Sequence, residues 1–452
     1  MKRLLVFLML GLLLPAIPSA FAQTAPTPQA LHGYIEIALA HNPEINASRA
    51  RWKNIDARVT EASSYLYPHI DFTSKFSEYS GGRVIDIPKV GKFNTSAIGI
   101  VPWDNEFVLS WPIGNLGVWE GMSVSKAYRE ASTAEVSAKE LALIYQVSEA
   151  YYNYAKANEL VGIRKSALAL AEENQKVAGA LFANDKAPKN DVLRADVGVA
   201  VAQGDVLSAE NMATLARTNF NNILKREYNV EIEAPSPADV SSIVGSSPDL
   251  ASKEMEESAG LTLPPLHDDE EKAFANRPEL QQILRTGDAL GATEKMNISD
   301  YLPNVSVFAS YGWMETKLQF SSEADLLVGG LQLRWNLFSG FGTNAKIRET
   351  EAQIEELRFT AESALNSVRL EIENARLEKV NATERLAIAK KQISSAEENY
   401  RITKLQYDNG MAPLITMLDA QTTLANAKAN LSTTTYDVLI ADAKYKKALG
   451  LR

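Results

Sequence analysis

No cysteine occurs anywhere in the 452 residues. That excludes disulfides, thiolate metal sites and a lipid carried on an N-terminal cysteine. Histidine is scarce: His32, His41, His69 and His267 stand alone, with no second histidine three or four residues away to complete a helical metal site. Basic clusters are lacking and the formal net charge is −10, which argues against nucleic acid as a partner. There is no nucleophile elbow, no phosphate-binding glycine loop and no carboxylate pair at catalytic spacing. No catalytic residue, metal site or cofactor is therefore expected, and the chain reads as something other than an enzyme.

Long apolar runs are missing too, except at the start. Lys2 and Arg3 precede the apolar stretch Leu4–Leu14, and Ser19-Ala20-Phe21-Ala22 ends in a small-residue cleavage pattern. Residues 1–22 read as a secretory signal peptide, and the mature chain, without Lys2 and Arg3, carries −12. No later stretch approaches the roughly 18 apolar residues that a membrane-crossing helix needs.

Proline is absent from Val118 to Ala183 and again from Thr343 to Asp408. Uninterrupted helices of that length would run about 100 Å at 1.5 Å per residue. Apolar and small residues recur at three and four, as in Leu141, Ile144, Ser148, Tyr151, Ala155 and in Leu365, Val368, Ile372, Ala375. That is the spacing of coiled coils. Each long helix is followed by a second one that restarts at Pro188 or Pro413, giving antiparallel hairpins with tips at 184–189 and 409–414. The last helix is rich in alanine (Ala420, Ala425, Ala427, Ala429, Ala441, Ala443, Ala448), which suits close side-by-side packing.

What is present is a duplication. Asn42-Pro43-Glu44 is answered by Arg277-Pro278-Glu279, and Pro68 by Pro303, each 235 residues on. Ala171-Glu172-Glu173-Asn174 is answered by Ala396-Glu397-Glu398-Asn399, and Ala187-Pro188 by Ala412-Pro413, each 225 on. Any fold must therefore be two-fold pseudo-repeated. We divide the chain into a first repeat over 23–233, a connecting segment over 234–270 and a second repeat over 271–452. Each repeat opens on a helix: Asn42 suits the N-cap and Pro43 the first turn, whereas Arg277 is a weaker cap.

Two strands follow in each repeat, about 67–79 and 103–113, then 303–314 and 326–338. Ile70, Phe72 and Phe76 alternate with Asp71, Thr73 and Lys75; Leu331, Leu333, Trp335 and Leu337 alternate with Gln332, Arg334 and Asn336. Val305, Val307, Ala309, Tyr311 and Trp313 share one face, as do Phe107, Leu109, Trp111 and Ile113. Runs of about 10 residues with aromatic ends are what a membrane barrel uses; two ordinary hairpins with one face on a soluble core would show the same alternation. Phe107, Leu109, Trp111, Leu331, Leu333 and Trp335 are the expected lipid-facing positions. The loop from about Gly81 to Pro102 is Gly-rich and polar, and longer than its counterpart at about Glu315 to Asp325.

The run Tyr407-Asp408-Asn409-Gly410-Met411-Ala412-Pro413-Leu414-Ile415-Thr416-Met417-Leu418-Asp419-Ala420-Gln421, with the terminal Ala448-Leu449-Gly450, resembles the TolC family of outer-membrane efflux channels. So does the duplicated order of elements over the whole mature chain. The resemblance implies a mainly α fold with a small transmembrane β part. Long helical hairpins would form an α-barrel, and each subunit would give four strands to a 12-stranded barrel shared by a homotrimer. It also implies an exit duct without a cofactor, passive in itself, set in outer-membrane lipid with a large periplasmic part. A periplasmic adaptor and an inner-membrane transporter would feed it.

The expected adaptor-docking residues are Asn184, Lys186, Ala187, Pro188, Gly410, Met411, Ala412 and Pro413. Family members often place two acidic residues at the tube entrance. Here Asp419 matches the second and Thr416 replaces the first, while the other repeat has Asp191 and Arg194 at those places. These four are the expected entrance constriction. The rival reading is a structural coiled coil of the envelope, or an adhesin stalk, without a transport role.

Overall fold

The computed structural model describes residues 31–77, 84–89, 91–94, 103–235, 240, 266–315 and 325–452. The stretch 1–22 expected to be a signal peptide, and the connecting segment apart from its two ends and Val240, lie outside the described residues.

Two copies of one unit follow each other. The first has α1 (Leu31–His41), α2 (Pro43–Ser64), β1 (His69–Phe76), β2 (Val84–Ile87), β3 (Gly91–Asn94), β4 (Trp103–Gly114), α3 (Leu116–Ala183) and α4 (Lys189–Ile223). The second has α5 (Leu266–Asn276), α6 (Pro278–Ser299), β5 (Asn304–Glu315), β6 (Asp325–Arg334), α7 (Gly342–Asp408) and α8 (Leu414–Ala448). α2 and α6 both have 22 residues, and α4 and α8 both have 35.

The helix starts follow local chemistry. Asn42 Oδ1 accepts from the Glu44 and Ile45 backbone N–H groups at 2.8 and 3.4 Å, and Pro43 supplies a preset φ. Arg277 makes no side-chain cap; it is buried and reaches elsewhere. The 68-residue α3 and the 67-residue α7 run unbroken because no proline interrupts their hydrogen-bond ladders. Along α7, Ala375, Ala382, Ala389, Ala396 and Thr403 are buried every seventh residue; along α8, so are Ala420, Ala427, Thr434, Ala441 and Ala448. A sustained period of seven keeps one seam turned to a partner helix, and small side chains let the two backbones approach.

The helices lie in the order α4–α3–α8–α7: α3 packs on α4 and α8, and α8 on α7. α4 is only half as long as α3, so α2 and α6 take up packing along α3 as well. The largest core cluster, Tyr34, Leu143, Val147, Tyr151, Phe220 and Leu224 among others, joins α1, α3 and the end of α4.

The four long strands make one antiparallel sheet in the order β1-β4-β5-β6. β4 pairs with β5 across the two copies, with a register shift between Pro112 and Gly114. That bulge takes Ile113 out of the regular alternation expected for it. β6 ends at Arg334 rather than near 338, and Trp335 lies just past it. The stretch read as the loop from Gly81 to Pro102 contains two short strands: β2 and β3 form a small hairpin whose turn holds Lys89 at φ 71°. Val84-Ile85-Asp86-Ile87 has the alternation of a strand, and its brevity hid it. Among the described residues, no helix is long and apolar enough to cross a membrane.

Candidate functional site

Three places follow from the sequence: the hairpin tips, the helix turns just behind them, and the faces of the sheet. The tips are built alike. α3 and α7 each stop at an asparagine whose side-chain amide donates back to the carbonyl four residues earlier, Asn184 to Ala180 and Asn409 to Leu405, both at 2.7 Å. The next residue is left-handed, Asp185 at φ 57° and Gly410 at φ 72°. Lys186 N–H then donates to the Leu181 carbonyl, and Met411 N–H to that of Gln406, both at 2.8 Å. These paired bonds satisfy carbonyls that a helix end leaves free. Ala187 and Ala412 are half-buried, and Pro188 and Pro413 sit extended at the N-caps of α4 and α8. The structure thus puts Asn184, Lys186, Ala187 and Pro188 on one tip and Gly410, Met411, Ala412 and Pro413 on the other. The helices behind the tips meet through Ala178, Ala195, Leu414 and Met417, with Tyr407 and Leu418 against them.

The four entrance residues fall on the first turns after the tips. Asp191 is half-buried in the first turn of α4, and Thr416, Arg194 and Asp419 are exposed. Asp191 lies near Tyr407 on α7. Burial pushes the Tyr407 hydroxyl pKa up, and the Asp191 and Asp408 carboxylates push it further. Arg194 and Asp419 stand exposed at corresponding places on α4 and α8. A little deeper, Asn174 donates its amide to Gln421 Oε1, and both side chains are buried. Thus the Glu-Glu-Asn run of the first copy meets the end of the Leu-Asp-Ala-Gln run of the second, a contact that no spacing in the sequence announces.

The sheet has two unlike faces. Phe107 stands opposite Phe72 and Tyr311, Leu109 opposite Ile70 and Ala309, and Trp111 opposite Val307; Leu331 and Leu333 stand opposite Val307 and Val305. These side chains share one face, with Phe72, Phe107 and Trp313 in an aromatic group. The other face is mostly polar, with Asp71, Thr73, Lys75, Glu106, Ser110, Ser306, Ser310 and Gln332 beside Val108, Phe308, Leu326 and Val328 by the same register. Sequence reasoning missed a repeated clasp at the base of the sheet. Trp111 Nε1 donates to the Leu66 carbonyl at 2.9 Å, and Trp335 Nε1 to the Tyr301 carbonyl at 3.0 Å. Leu66 and Tyr301 are 235 residues apart, so the clasp is the duplication at work. Among the described residues no cluster of three metal-binding side chains occurs.

Comparison with known proteins matches this geometry. The family described as outer membrane efflux protein matches residues 34–224 and 271–451, one stretch for each copy. The outer membrane protein TolC of Escherichia coli (strain K12) is 23% identical over 474 residues, spanning 100% of this chain and 87% of that one. Nodulation protein T of Rhizobium leguminosarum bv. trifolii is 20% identical over 418 residues, spanning 89% and 81%. Among solved structures, the outer-membrane channel OprN superposes with a TM-score of 0.72 at 18% identity, covering 93% of this chain and 89% of that one. The open state of the Neisseria gonorrhoeae MtrE outer membrane channel gives 0.70 at 17%, covering 93% and 89%. At such identities these structures establish the fold.

Proposed function

The chain belongs to the outer membrane efflux protein family, and we propose that three copies of it form a passive exit duct through the outer membrane. The observation that carries the trimer is the sheet. Four strands with one apolar face end in two open edges, β1 and β6. Lipid cannot satisfy the free N–H and C=O groups of such edges, and closed membrane barrels begin at about eight strands. Three copies give twelve strands with every edge paired. The helices make the same demand. α4 and α7 are the outer helices of the subunit, and each shows exposed apolar side chains, Leu193, Val197 and Val201 on one, Leu370, Leu377 and Ile388 on the other.

The duct carries no energy source of its own, so a periplasmic adaptor and an inner-membrane transporter supply substrate at the far end. The hairpin tips lie about 100 Å of helix away from the sheet and are the natural docking place. They are rigid, exposed turns fixed by backbone bonds. A coiled-coil stalk without transport would have no use for a sheet with one apolar and one mostly polar face. The test is a bulky charged substitution at each tip, Gly410→Glu and Ala187→Glu. Export in cells should be lost while the outer-membrane assembly forms normally. Export that survives both changes would leave the tips as mere turns.

A further inference from the structure

One contact within the chain has no counterpart yet. α3 of the first copy packs on α8 of the second, with the Asn174–Gln421 bond buried in the seam. Gln421 also reaches the Ala167 carbonyl at 3.5 Å. A buried polar pair of this kind sets the register of packed helices, since any slide leaves both amides unpaired. The residues 225 further on and 225 back are Asn399 on α7 and Asp196 on α4. Both are exposed, and they lie on the two outer helices, which within the chain come together near the tips, around Tyr407, but share no extended seam.

The neighbours of each repeat the pattern. Leu418 packs into the seam beside Met417, while its counterpart Leu193 is exposed. Tyr152 packs against Ala155, Tyr436 and Leu439, while its counterpart Leu377 is exposed. The Asp196 carboxylate is already held in place by Gln175, whose Nε2 donates to it at 2.8 Å.

We infer that the seam between subunits copies the seam within one. α7 lies on α4 of the partner subunit, and the Asn399 amide donates to Asp196 of the partner subunit at the place where Asn174 meets Gln421. This rests on the trimer proposed above and fixes its register residue by residue.

The chain has no cysteine, so introduced pairs report without background. The size of the purified assembly is measured first, by light scattering in detergent. In cells carrying Asn399→Cys together with Asp196→Cys, oxidation should join chains into covalent trimers. Asp196→Cys combined with Gln392→Cys or Gln406→Cys, seven residues to either side, should not cross-link. Separately, Asn399→Asp sets two carboxylates against each other and should lower the melting temperature of the assembly, and adding Asp196→Asn should restore it. A species other than a trimer overturns the proposed function and this inference with it. A trimer in which a shifted pair links better, or in which Asp196→Asn gives no rescue, overturns the register alone.

Discussion

Glu371 shows how the second copy departs from the first. Arg277 Nη2 lies 2.5 Å from one Glu371 oxygen, Lys447 Nζ lies 3.2 Å from the other, and Arg277 Nε donates to the Ala448 carbonyl at 2.8 Å. Burial pushes the Glu371 carboxyl up, but the two cations outweigh it and its pKa ends below the usual carboxylate value. A group whose folded pKa is lowered stabilises the fold above its unfolded pKa and loses that contribution as pH falls through the folded one. Glu371→Gln should therefore lower the melting temperature at neutral pH, and the gap to wild type should close as pH falls below the ordinary carboxylate range. A gap that persists in acid would show that the charge is not the cause. Gly450 makes the second case. It is left-handed at φ 74°, and an added Cβ would come within 2.8 Å of the Asn276 carbonyl carbon and 2.9 Å of the Arg277 nitrogen. Gly450→Ala should cost more than the ~1 kcal/mol of backbone strain alone, read as a lower melting temperature. Lys225, 225 residues earlier, holds φ 55°; there Lys225→Gly should stabilise. Neither residue's role was legible in advance: arginine is a poor cap, and its true partners lie 94 and 171 positions away.

At the scale of elements, the strands make the sharpest prediction. Leu109 and Ser110 are adjacent at mid-strand and point to opposite faces. Lysine at Leu109 should cost about 2–4 kcal/mol at the bilayer midplane, while lysine at Ser110 should be tolerated. Urea titration of the barrel in lipid vesicles measures both, and equal costs would mean that the register is wrong. These faces were legible because alternation in β1, β4, β5 and β6 is a local property. So was the helical character of α3 and α7, which the absence of proline and the three-and-four spacing announce. The β2–β3 hairpin was not legible, since four-residue strands carry little periodicity. Nor was the sheet order, because β4 beside β5 joins residues from different copies. The indole clasps of Trp111 and Trp335 escaped as well, since a tryptophan near a strand end reads as a lipid anchor whether or not its N–H is used.

The whole molecule brings Asp191 and Asp419 behind the tips, on matching helices of the two copies. In the proposed trimer each would occur three times, which would set carboxylates where the duct is entered. Such rings favour cations and oppose anions. The doubly substituted Asp191→Asn, Asp419→Asn channel should lose cation preference in single-channel recordings with assembly unchanged, and an unaltered reversal potential would remove the filter from the account. Their distance from Pro188 and Pro413 is legible in the sequence, but any ring of them depends on a symmetry that no single chain contains. The duct stands or falls with that symmetry, which native mass spectrometry of the protein released from detergent reads out. One species of three chains is expected. A stable monomer, or an assembly whose chain number does not bring the four-stranded sheets to a closed twelve, would contradict it.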